Sequence, residues 1–456
     1  MANSSVLFQE QKHFFKSRET YPLAFRKAQL RKLKHLVQLH EQAVYDALQA
    51  DFQKGEFEAF VTELGGVIKS IDLHLKNMNR WSKPERVKSS LANFPSSSHI
   101  YREPFGVCLI IAPWNYPFLL ALEPLVAAIS AGNCAIIKPS ELTPNTSALL
   151  AKIINESFPK EYLRVVEGGV SETTELLQEP FHKIYFTGSS RIGKVVMKAA
   201  AEHLTPVTLE LGGKSPCVVD SDAKLALAAK RIVWGKFLNA GQTCIAPDYI
   251  LAHHSIKDEL ITEMKQAILE MYGENPKTNT DFQRIVNRNH FERISNLLKG
   301  EKIEFGGETD AQENYISPTI LDEVAIKSSI MQEEIFGPVL PVLTFKDTSE
   351  VEEIIGSHPT PLAFYYFGKQ NSEHFLHNIE FGGACINDTI SHLVNHHLPF
   401  GGKGNSGMGK SQGKYSFDTF SHQKGIVKRG TWMDIPLRYA PYQGKLKWLK
   451  RLLPWL

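Results

Sequence analysis

The sequence predicts an α/β protein whose first large domain is a doubly wound parallel sheet. Short apolar runs alternate with helical ones four times, always strand before helix, within about a hundred residues, which is typical of parallel sheets. A chain of 456 residues also exceeds one ordinary hydrophobic core, so two or three domains are expected. With 43% hydrophobic and 22% charged residues, the composition is that of a soluble globular protein.

The chain begins with a helical region from about Phe8 to Trp81. Leu30, Leu33 and Val37 recur there at helical spacing, with charged residues between them. The polar connector SKPERVKSSLANFPSSSH follows and is rich in Ser and Pro, which indicates a boundary.

Four strand-helix units come next: GVCLIIAPWN with FLLALEPLVAAI, AIIKPS with NTSALLAKIINESF, YLRVVEGG with ETTELLQ, and KIYF with RIGKVVMKAAAEH. A second alternating region starts near Glu210 and runs to about Leu398; it contains SPCVVD, a helix from Leu225 to Leu238, YILAHH and a helix to Met271. The glycine-rich GGKGNSGMGKSQGK, the strand-like GIVKRGTWM and the basic aromatic tail KLKWLKRLLPWL end the chain.

Bulk charge and cysteine usage exclude several function classes. The chain has 51 basic and 49 acidic residues and a net charge of +2, which gives no electrostatic case for a nucleic-acid partner. Its five cysteines are widely spaced without a CxxC pair, as in a reduced intracellular protein. The start has no apolar signal region, and no apolar run approaches the roughly 18 residues of a membrane span. A cytoplasmic protein is predicted.

The stretch FTGSSRIGKV, between a strand and a helix, resembles a phosphate-binding P-loop. A P-loop needs Ser or Thr at its last position to coordinate magnesium, and Val195 stands there, so a nucleoside triphosphate is disfavoured. Gly188 instead allows backbone to approach a dinucleotide pyrophosphate at the helix start, although a plain turn is the alternative. Glu210 follows 22 positions later, where a ribose-binding acid is expected.

Two further stretches are candidates for chemistry. Cys244 lies in the polar, glycine-containing GKFLNAGQTCIAPDY, where a reactive thiol is as plausible as a structural one; the other cysteines (Cys108, Cys134, Cys217 and Cys385) lie in or beside apolar runs. Asn115 in IIAPWNYPF follows a buried strand between two prolines. Its amide can serve an oxyanion there, or the segment is only a stiff turn.

Seven motifs together resemble the aldehyde dehydrogenase superfamily: PWNYP, IIKPSELTP, FTGSSRIGK, LELGGKSP, NAGQTCIAPDY, EEIFGP and LPFGGKGNSGMG. They occur in the order and at about the separations of that superfamily, and the resemblance runs from the N-terminal helices to about residue 430. NAGQTCIAPDY and GNSGMGKSQGKYSFDTFSH look most like class 3, the fatty and aromatic aldehyde branch.

The resemblance implies three catalytic residues. Cys244 is the nucleophile that forms a thiohemiacetal and then a thioester; Asn115 and the Cys244 amide hold the oxyanion. Glu210 activates the water that hydrolyses the thioester, and so is not the ribose ligand. Water activation argues against the nearest rival, a coenzyme A-acylating dehydrogenase. A more distant rival is a catalytically silent nucleotide-binding protein, which intact Cys244, Glu210 and Asn115 disfavour.

The resemblance also implies an NAD site, with NADP possible although Glu141 would repel a 2′-phosphate. The implied cofactor-binding residues are Lys138, Glu141, Gly188, Ser189, Gly193, Glu334 and Phe336. The implied fold is a Rossmann-type cofactor domain, an α/β catalytic domain and a small oligomerisation extension. The domains expected are residues 1–84 and 105–209 for the cofactor, 210–398 for the thiol, and 85–104 with 399–456 for bridging and oligomerisation. Class 3 members are usually homodimers.

Three features keep two interpretations each. Tyr116, Ile390, Leu393 and Phe400 are candidate walls of the aldehyde channel or plain core. His392, His396 and His397 have helix-like spacing, but without flanking acidic or thiol ligands we expect loop histidines and no metal. The tail interleaves basic residues with Trp448, Leu449 and Trp455, which is typical of an interfacial membrane helix, while packing on a partner subunit is the alternative.

Overall fold

The computed structural model describes residues 4–452, and it begins with a helical layer. Leu30, Leu33 and Val37 are fully buried, so the helical spacing predicted from the sequence is confirmed. A π-helical turn, Phe60–Leu64, joins the fourth helix to the fifth. The helices are α1 (Ser4–Lys16), α2 (Leu23–Leu39), α3 (Glu41–Phe52), α4 (Glu56–Ala59) and α5 (Gly65–Trp81).

The polar connector is not irregular throughout, since it contains β1 (Glu85–Val87) and the start of β2 (Ser96–Pro104). The four predicted strand-helix units follow and are confirmed. They comprise β3 (Val107–Ile111), α6 (Leu119–Ala131), β4 (Cys134–Lys138), α7 (Pro144–Ser157), β5 (Leu163–Val165), α8 (Val170–Leu177), β6 (Lys183–Thr187), α9 (Ser190–Ala201) and the closing strand β7 (Val207–Glu210).

The second alternating region is also confirmed as α/β. It contains β8 (Pro216–Val219), α10 (Leu225–Phe237), β9 (Tyr249–His253), α11 (Lys257–Tyr272), α12 (Arg288–Leu297), β10 (Lys302–Phe305), β11 (Thr309–Asp310), β12 (Tyr315–Ile316), β13 (Thr319–Asp322), β14 (Val339–Phe345), α13 (Thr348–Gly356), β15 (Ala363–Phe367), α14 (Ser372–Asn378) and β16 (Gly383–Ile386). The chain then forms β17 (Gly407–Met408), α15 (Lys414–Thr419), β18 (Ser421–Arg429) and α16 (Lys445–Leu452).

The first sheet has the strand order β17-β7-β6-β3-β4-β5. All its pairs are parallel except β17 with β7. The chain winds from β3 outward through β4 and β5, then returns to place β6 on the other side of β3. The order therefore reverses between β3 and β6, and ligands of doubly wound sheets bind at the carboxyl ends beside such a switch point.

The second sheet has the order β10-β13-β14-β9-β8-β15-β16 and is parallel from β13 to β16. Each large sheet has its own hydrophobic core: one spans the N-terminal helices and the first sheet, and the other the second sheet with its helices. The apolar strand runs thus each bury against helices on their faces, as parallel sheets require.

A third, three-stranded sheet joins the connector to the chain's C-terminal part in the order β1-β2-β18. β18 pairs antiparallel with β2 from Ser421↔Pro104 to Arg429↔Ser96. The predicted C-terminal strand GIVKRGTWM is therefore confirmed in its first half and ends at Arg429.

The tail forms the short helix α16, and the predicted residues Leu453, Pro454 and Trp455 lie outside the described part of the chain. Between residues 4 and 452, none of the helices is both long enough and apolar enough to cross a bilayer.

Candidate active site

Four strands of the first sheet end at residues that the sequence singles out. Asn115 follows β3, Lys138 ends β4, Gly188 follows β6 and Glu210 ends β7. The register pairs Ile111 of β3 with Lys138 on one side, so these ends lie at the same edge. The amide of Gly188 donates to the carbonyl of Glu210 at 3.0 Å, which joins the glycine turn to the end of β7. The sheet therefore gathers residues that are far apart in the chain.

The turn after β6 is shaped to receive an anion. Ser189 caps α9, its hydroxyl accepting from the amide of Ile192 at 3.4 Å. A Cβ on Gly188 would lie 2.6 Å from Cζ of Phe186, and one on Gly193 would lie 2.8 Å from Cδ2 of Leu211, so neither position accepts a side chain without movement. Bare backbone therefore meets the start of a twelve-residue helix here, and the N-terminus of a helix attracts anions.

Lys138 and Glu141 form a second polar pair at the end of β4. The Lys138 ammonium is almost fully buried, donates to the carbonyl of Pro139 at 2.6 Å and lies 3.8 Å from the Glu141 carboxylate. Burial lowers the pKa of Lys138, and the charge of Glu141 opposes that shift. The Glu141 side chain is 47% exposed, so its oxygens are available to the hydroxyl groups of a ligand.

The thiol stands on a strained loop after α10. Asn239 and Ala240 both have left-handed backbone, with φ of 54° and 51°, which is costly for residues other than glycine. Gly241 follows with φ of 73°, and a Cβ there would lie 2.2 Å from the carbonyl oxygen of Gly337. Gln242 helps to hold the turn, its side-chain amide donating to the Asn239 carbonyl at 3.0 Å. The tight turn presses the thiol loop against the loop that carries Glu334 and Phe336.

Asn115 and Tyr116 lie alongside this loop. The Asn115 side-chain amide donates to the carbonyl of Gln242 at 3.0 Å, and the Asn239 side-chain amide donates to the carbonyl of Asn115 at 2.9 Å. The hydroxyls of Tyr116 and Thr243 are 2.6 Å apart. A primary amide has two N–H donors, and the bond to Gln242 uses one of those of Asn115.

Cys244 differs from the other four cysteines because it is half-buried while they are buried, as the sequence predicts. Burial, together with the neighbouring Glu334 and Glu210 carboxyls, raises the pKa of its thiol to about 12, while the backbone amides of Cys244 and Ile245 oppose the shift. The thiol is therefore protonated near neutral pH and needs a base before it can attack.

Glu210 is the buried acid of the site. Burial raises its pKa to about 8, and the nearby Glu123 carboxyl adds to the shift. The hydroxyl of Ser411, which donates to Oε1 at 2.9 Å, and the hydroxyl of Tyr185 oppose it. Within residues 4–452 its other oxygen, Oε2, has no hydrogen-bond partner. A carboxyl that titrates near working pH and has a bare oxygen is suited to proton transfer.

Glu334 and Phe336 reach the site from the part of the chain that forms the second hydrophobic core. The Glu334 carboxyl packs on the backbone of Gly212, two residues past Glu210, and burial raises its pKa to about 8. Phe336 has φ of 50° and meets Trp114 edge-on with ring centroids 5.2 Å apart. These two residues therefore lie next to the carboxyl ends of β3 and β7.

The loop that carries them is fixed by a buried ion pair. Lys214 and Asp248 are 2.7 Å apart, and both are almost fully buried. Lys214 also donates to the carbonyls of Ile330 and Glu333, while Asp248 accepts from the amide of Ile335. This pair ties the segment after β7 to the approach of Glu334.

Sequence reasoning missed several of these contacts. Ser411 lies in the glycine-rich segment that the resemblance assigns to bridging and oligomerisation rather than to the site. Asn239 and Gln242 flank Cys244, but the sequence does not indicate that their side chains hold the loop. Lys214 and Asp248 lie within LELGGKSP and NAGQTCIAPDY, and no local pattern in either motif indicates that the two side chains pair. The histidine spacing does not mark a regular helix, since the short 3₁₀ helix Ser391–Val394 ends before His396 and His397.

The candidate wall residues divide into two pairs. Tyr116 touches Thr243, and the backbone of Ile390 lies beside the hydroxyl of Tyr365, which donates to the carbonyl of Ile245 at 2.5 Å. Both therefore lie within two contacts of Cys244. Leu393 and Phe400 are partly buried against the second core, and the Phe400 ring stacks on His392.

Comparisons with known proteins agree on one family. The family model described as "Aldehyde dehydrogenase family" matches residues 7–426. The 4,4'-diaponeurosporen-aldehyde dehydrogenase of Staphylococcus aureus is 48% identical over 97% of each chain, and aldehyde dehydrogenase family 3 member A2 of Rattus norvegicus is 46% identical over 96% of this chain and 92% of its own. A structure of Staphylococcus aureus AldH in a substrate-bound state superposes with a TM-score of 0.97 at 47% identity, covering 99% of this chain and 100% of that one.

Proposed function

This chain belongs to the aldehyde dehydrogenase family, and we propose that within it Cys244 is the nucleophile, Asn115 the oxyanion donor and Glu210 the base of the hydrolytic step. The protein is an NAD(P)-dependent enzyme that oxidises aldehydes to carboxylic acids, and its similarity to family 3 members places it in the class 3 branch. The observation that carries the residue assignment is the meeting of the Cys244 loop with Asn115, while Glu210 keeps an unpaired oxygen nearby.

The first chemical task of the chain is attack by sulfur. Because the pKa of Cys244 is raised, its proton must pass to a neighbouring base, and the Glu210 and Glu334 carboxyls both act on the thiol electrostatically. The thiolate then bonds to the aldehyde carbon, and the negative charge moves to the carbonyl oxygen. The second N–H of Asn115 and the backbone amide of Cys244 stabilise that oxyanion.

The second task is hydrolysis of the thioester on Cys244. Ionised Glu210 takes a proton from water through its bare Oε2, and the resulting hydroxide adds to the thioester carbon. The oxyanion forms at the same donors as before. Collapse releases the carboxylic acid and returns the sulfur as leaving group, which regains its proton.

The residues for the cofactor fit a dinucleotide. Gly188, Ser189 and Gly193 would hold the pyrophosphate, since neither glycine places a side chain on the turn and Ser189 caps the helix that starts there. Lys138 and Glu141 would bind a ribose, and Glu334 and Phe336 the nicotinamide half. A bound nicotinamide dinucleotide supplies the acceptor for the hydride that leaves the substrate carbon. The exposed negative charge of Glu141 supports a preference for NAD over NADP.

The proposed substrates are medium- or long-chain aliphatic, or aromatic, aldehydes. Tyr116, Ile390, Leu393 and Phe400 are the proposed walls, and all four present apolar surface around the thiol loop or the core behind it. Such walls bind chains and rings by burial of apolar area and offer little to short polar aldehydes.

The coenzyme A-acylating alternative predicts a different fate for the thioester. A base beside the thioester would activate water, and water would remove the acyl group before a thiol acceptor arrived. The position of Glu210 therefore favours hydrolysis. Free acid without added coenzyme A is the expected product.

The central test follows reduced nicotinamide by absorbance with NAD or NADP and an aldehyde series from short to long, plus benzaldehyde. Cys244→Ala is expected to abolish turnover and to bind cofactor as well as the wild type. Glu210→Gln is expected to release one burst of reduced cofactor per site and then to stall at the thioester, because the hydrolytic base is gone.

Two outcomes would contradict the assignment. Steady turnover in Glu210→Gln would remove Glu210 from the hydrolytic step. Turnover in Cys244→Ala would exclude Cys244 as the nucleophile. Glu156→Gln, a change of the same kind on the surface of α7, serves as the control and is expected to behave as the wild type.

We also infer the setting in which the enzyme works. A homodimer is supported by β18, a nine-residue strand at the open edge of its sheet with mostly exposed residues. The same proposal includes a cytoplasmic location and contact of the tail with a membrane surface. It also places the domain boundaries at 84–85, 104–105, 209–210 and 398–399.

A further inference from the structure

A cluster of three charged residues lies outside the groups assigned above, on the segment from α3 to α5. The Lys54 ammonium is 2.8 Å from Oε1 of Glu63, and both side chains are fully buried. Glu58 completes the cluster on α4, and the π-helical turn Phe60–Leu64 separates it from α5. Burying such charges costs free energy of folding, and π-helical turns are often found at functional sites. Both observations indicate that the cluster has a functional role.

Glu58 reaches the thiol loop directly. Its Oε1 accepts from the backbone amide of Asn239 at 3.0 Å, and its Oε2 accepts from the side-chain amide of Gln283 at 2.7 Å. Asn239 is the first residue of the left-handed turn before Cys244. The carboxylate therefore holds the strained backbone at the point where it departs from helix.

Asn239 connects Glu58 to Asn115, the proposed oxyanion donor. Its side-chain amide donates to the carbonyl of Asn115 at 2.9 Å and to the carbonyl of Gln242 at 3.2 Å. The Gln242 carbonyl is the group that also accepts from the Asn115 side chain. Glu58 is thus two hydrogen bonds away from Asn115, although 57 positions separate them in the chain.

The other two members of the cluster, Lys54 and Glu63, contact the stretch of chain that follows Asn115. The Lys54 ammonium lies 4.4 Å from the centre of the Tyr116 ring, and Tyr116 contacts Thr243. Oε2 of Glu63 accepts from the amides of Phe118 and Leu119 at the start of α6. The segment 54–63 therefore supports both stretches that flank the thiol.

We propose that Glu58 is a positioning residue for the catalytic loop, fixing Asn239 and through it Asn115 and Cys244. The inference rests on the proposed roles of Cys244 and Asn115. The N-terminal helical layer then contributes to the reaction geometry, and loss of the Glu58 carboxylate lets the left-handed turn relax away from the reactive arrangement.

The test compares variants of Glu58 in the full chain. Glu58→Leu removes both acceptors and is expected to lower kcat by about tenfold or more, counted per reactive Cys244 thiol, while KM for NAD stays within about twofold. The rate of Cys244 alkylation by iodoacetamide is expected to fall at least about threefold, because the amides of Cys244 and Ile245 no longer face the sulfur correctly.

Glu58→Gln is the conservative comparison. Its carbonyl can still accept from Asn239, and Gln283, whose Oε1 has no partner within residues 4–452, can flip to accept from the new amide. This variant is expected to keep kcat and the alkylation rate within about threefold of the wild type. Glu56→Gln, on the exposed side of the same helix, is the matched control and is expected to change nothing.

Equal kcat per reactive thiol and equal alkylation rates in Glu58→Leu and the wild type would overturn the proposal, even if the variant melts earlier. If Glu58→Leu does not fold, Glu58→Asp decides, since the shorter side chain cannot reach both donors; unchanged rates there overturn the proposal and lowered rates support it. Failure of the wild type to oxidise any aldehyde would overturn the proposed catalytic roles instead, and the alkylation rates would still report on Glu58.

Discussion

Among single residues, the buried acid-base groups of the site are mostly protonated near neutral pH. Burial raises the pKa of the Cys244 thiol to about 12 and the pKa values of Glu210 and Glu334 to about 8. Each proton must therefore move before the chemistry can proceed. Neighbouring groups in the site accept these protons, so acid and base steps can follow one another in a buried site.

The raised pKa of Glu210 predicts a pH dependence with a definite sign. The base acts only when ionised, and its pKa near 8 means that the ionised fraction falls as pH drops below that value. We expect kcat for a long-chain aldehyde to rise about tenfold per pH unit between about pH 6 and about pH 7.5 and to level off above about pH 8.5. Steady-state rates across that range measure it.

The comparison variant for this profile is Ser411→Ala, which removes the hydrogen bond that stabilises ionised Glu210. Its profile is expected to shift to higher pH, since that bond lowers the pKa of Glu210. A shift to lower pH, or a wild-type rate that falls as pH rises through this range, would contradict Glu210 as the base.

At the scale of elements, the active site is built from loops that meet at strand ends, and one buried ion pair fixes two of them. Asp248 neutralises Lys214 and also accepts from the amide of Ile335. Removing one partner of a buried pair leaves an uncompensated charge, which costs far more than the pair contributes as a whole.

We therefore expect Asp248→Ala to lower the free energy of unfolding by about 3–5 kcal/mol. Asp248→Asn keeps an oxygen for the Ile335 amide and is expected to lose less. Denaturant unfolding monitored by tryptophan fluorescence measures both. A loss below about 1 kcal/mol in Asp248→Ala would show that Lys214 is neutral or reaches water.

Element prediction succeeded where periodicity was strong. The four strand-helix units were predicted from apolar runs alone, because strands buried on both faces and amphipathic helices leave clear patterns. The connector after Trp81 was harder, since the exposed β1 has no apolar alternation and is a strand only because β2 pairs with it.

At the scale of the whole molecule, the two cores place the thiol between them. Cys244 packs against the second core while Asn115 and Glu210 follow strands of the first sheet. The proposed catalytic groups therefore come from both halves, and under that proposal the relative position of the halves sets the reaction geometry. Contacts such as Asn115 with Gln242 tie them together.

The C-terminal helix α16 exposes apolar and basic side chains together. On α16, Leu446 and Trp448 are each more than 60% exposed, and they alternate with Lys445, Lys447 and Lys450. We expect the protein to sediment with vesicles that contain an anionic phospholipid and to be released by high salt, because each basic residue contributes about 1 kcal/mol at such a surface.

Removal of residues 445–456 is expected to abolish sedimentation and to leave aldehyde oxidation by the remaining chain unchanged. Trp448→Ser is expected to weaken binding without loss of charge. Binding that is equal on neutral and anionic vesicles would contradict the electrostatic part, and a change in subunit stoichiometry on truncation would favour packing on a partner.

The strand-helix order, the family and the proposed chemical groups can be predicted from the sequence, because buried strands, glycine turns and a thiol among small polar residues are local patterns. Which of these groups meet is known only from the folded chain. Glu58 touches Asn239, Ser411 touches Glu210, and Lys214 pairs with Asp248 across separations that leave no periodic signal. The physical reason is that propensity and patterning act over a few residues, whereas burial, pKa and hydrogen-bond partners are set by what the folded chain brings alongside.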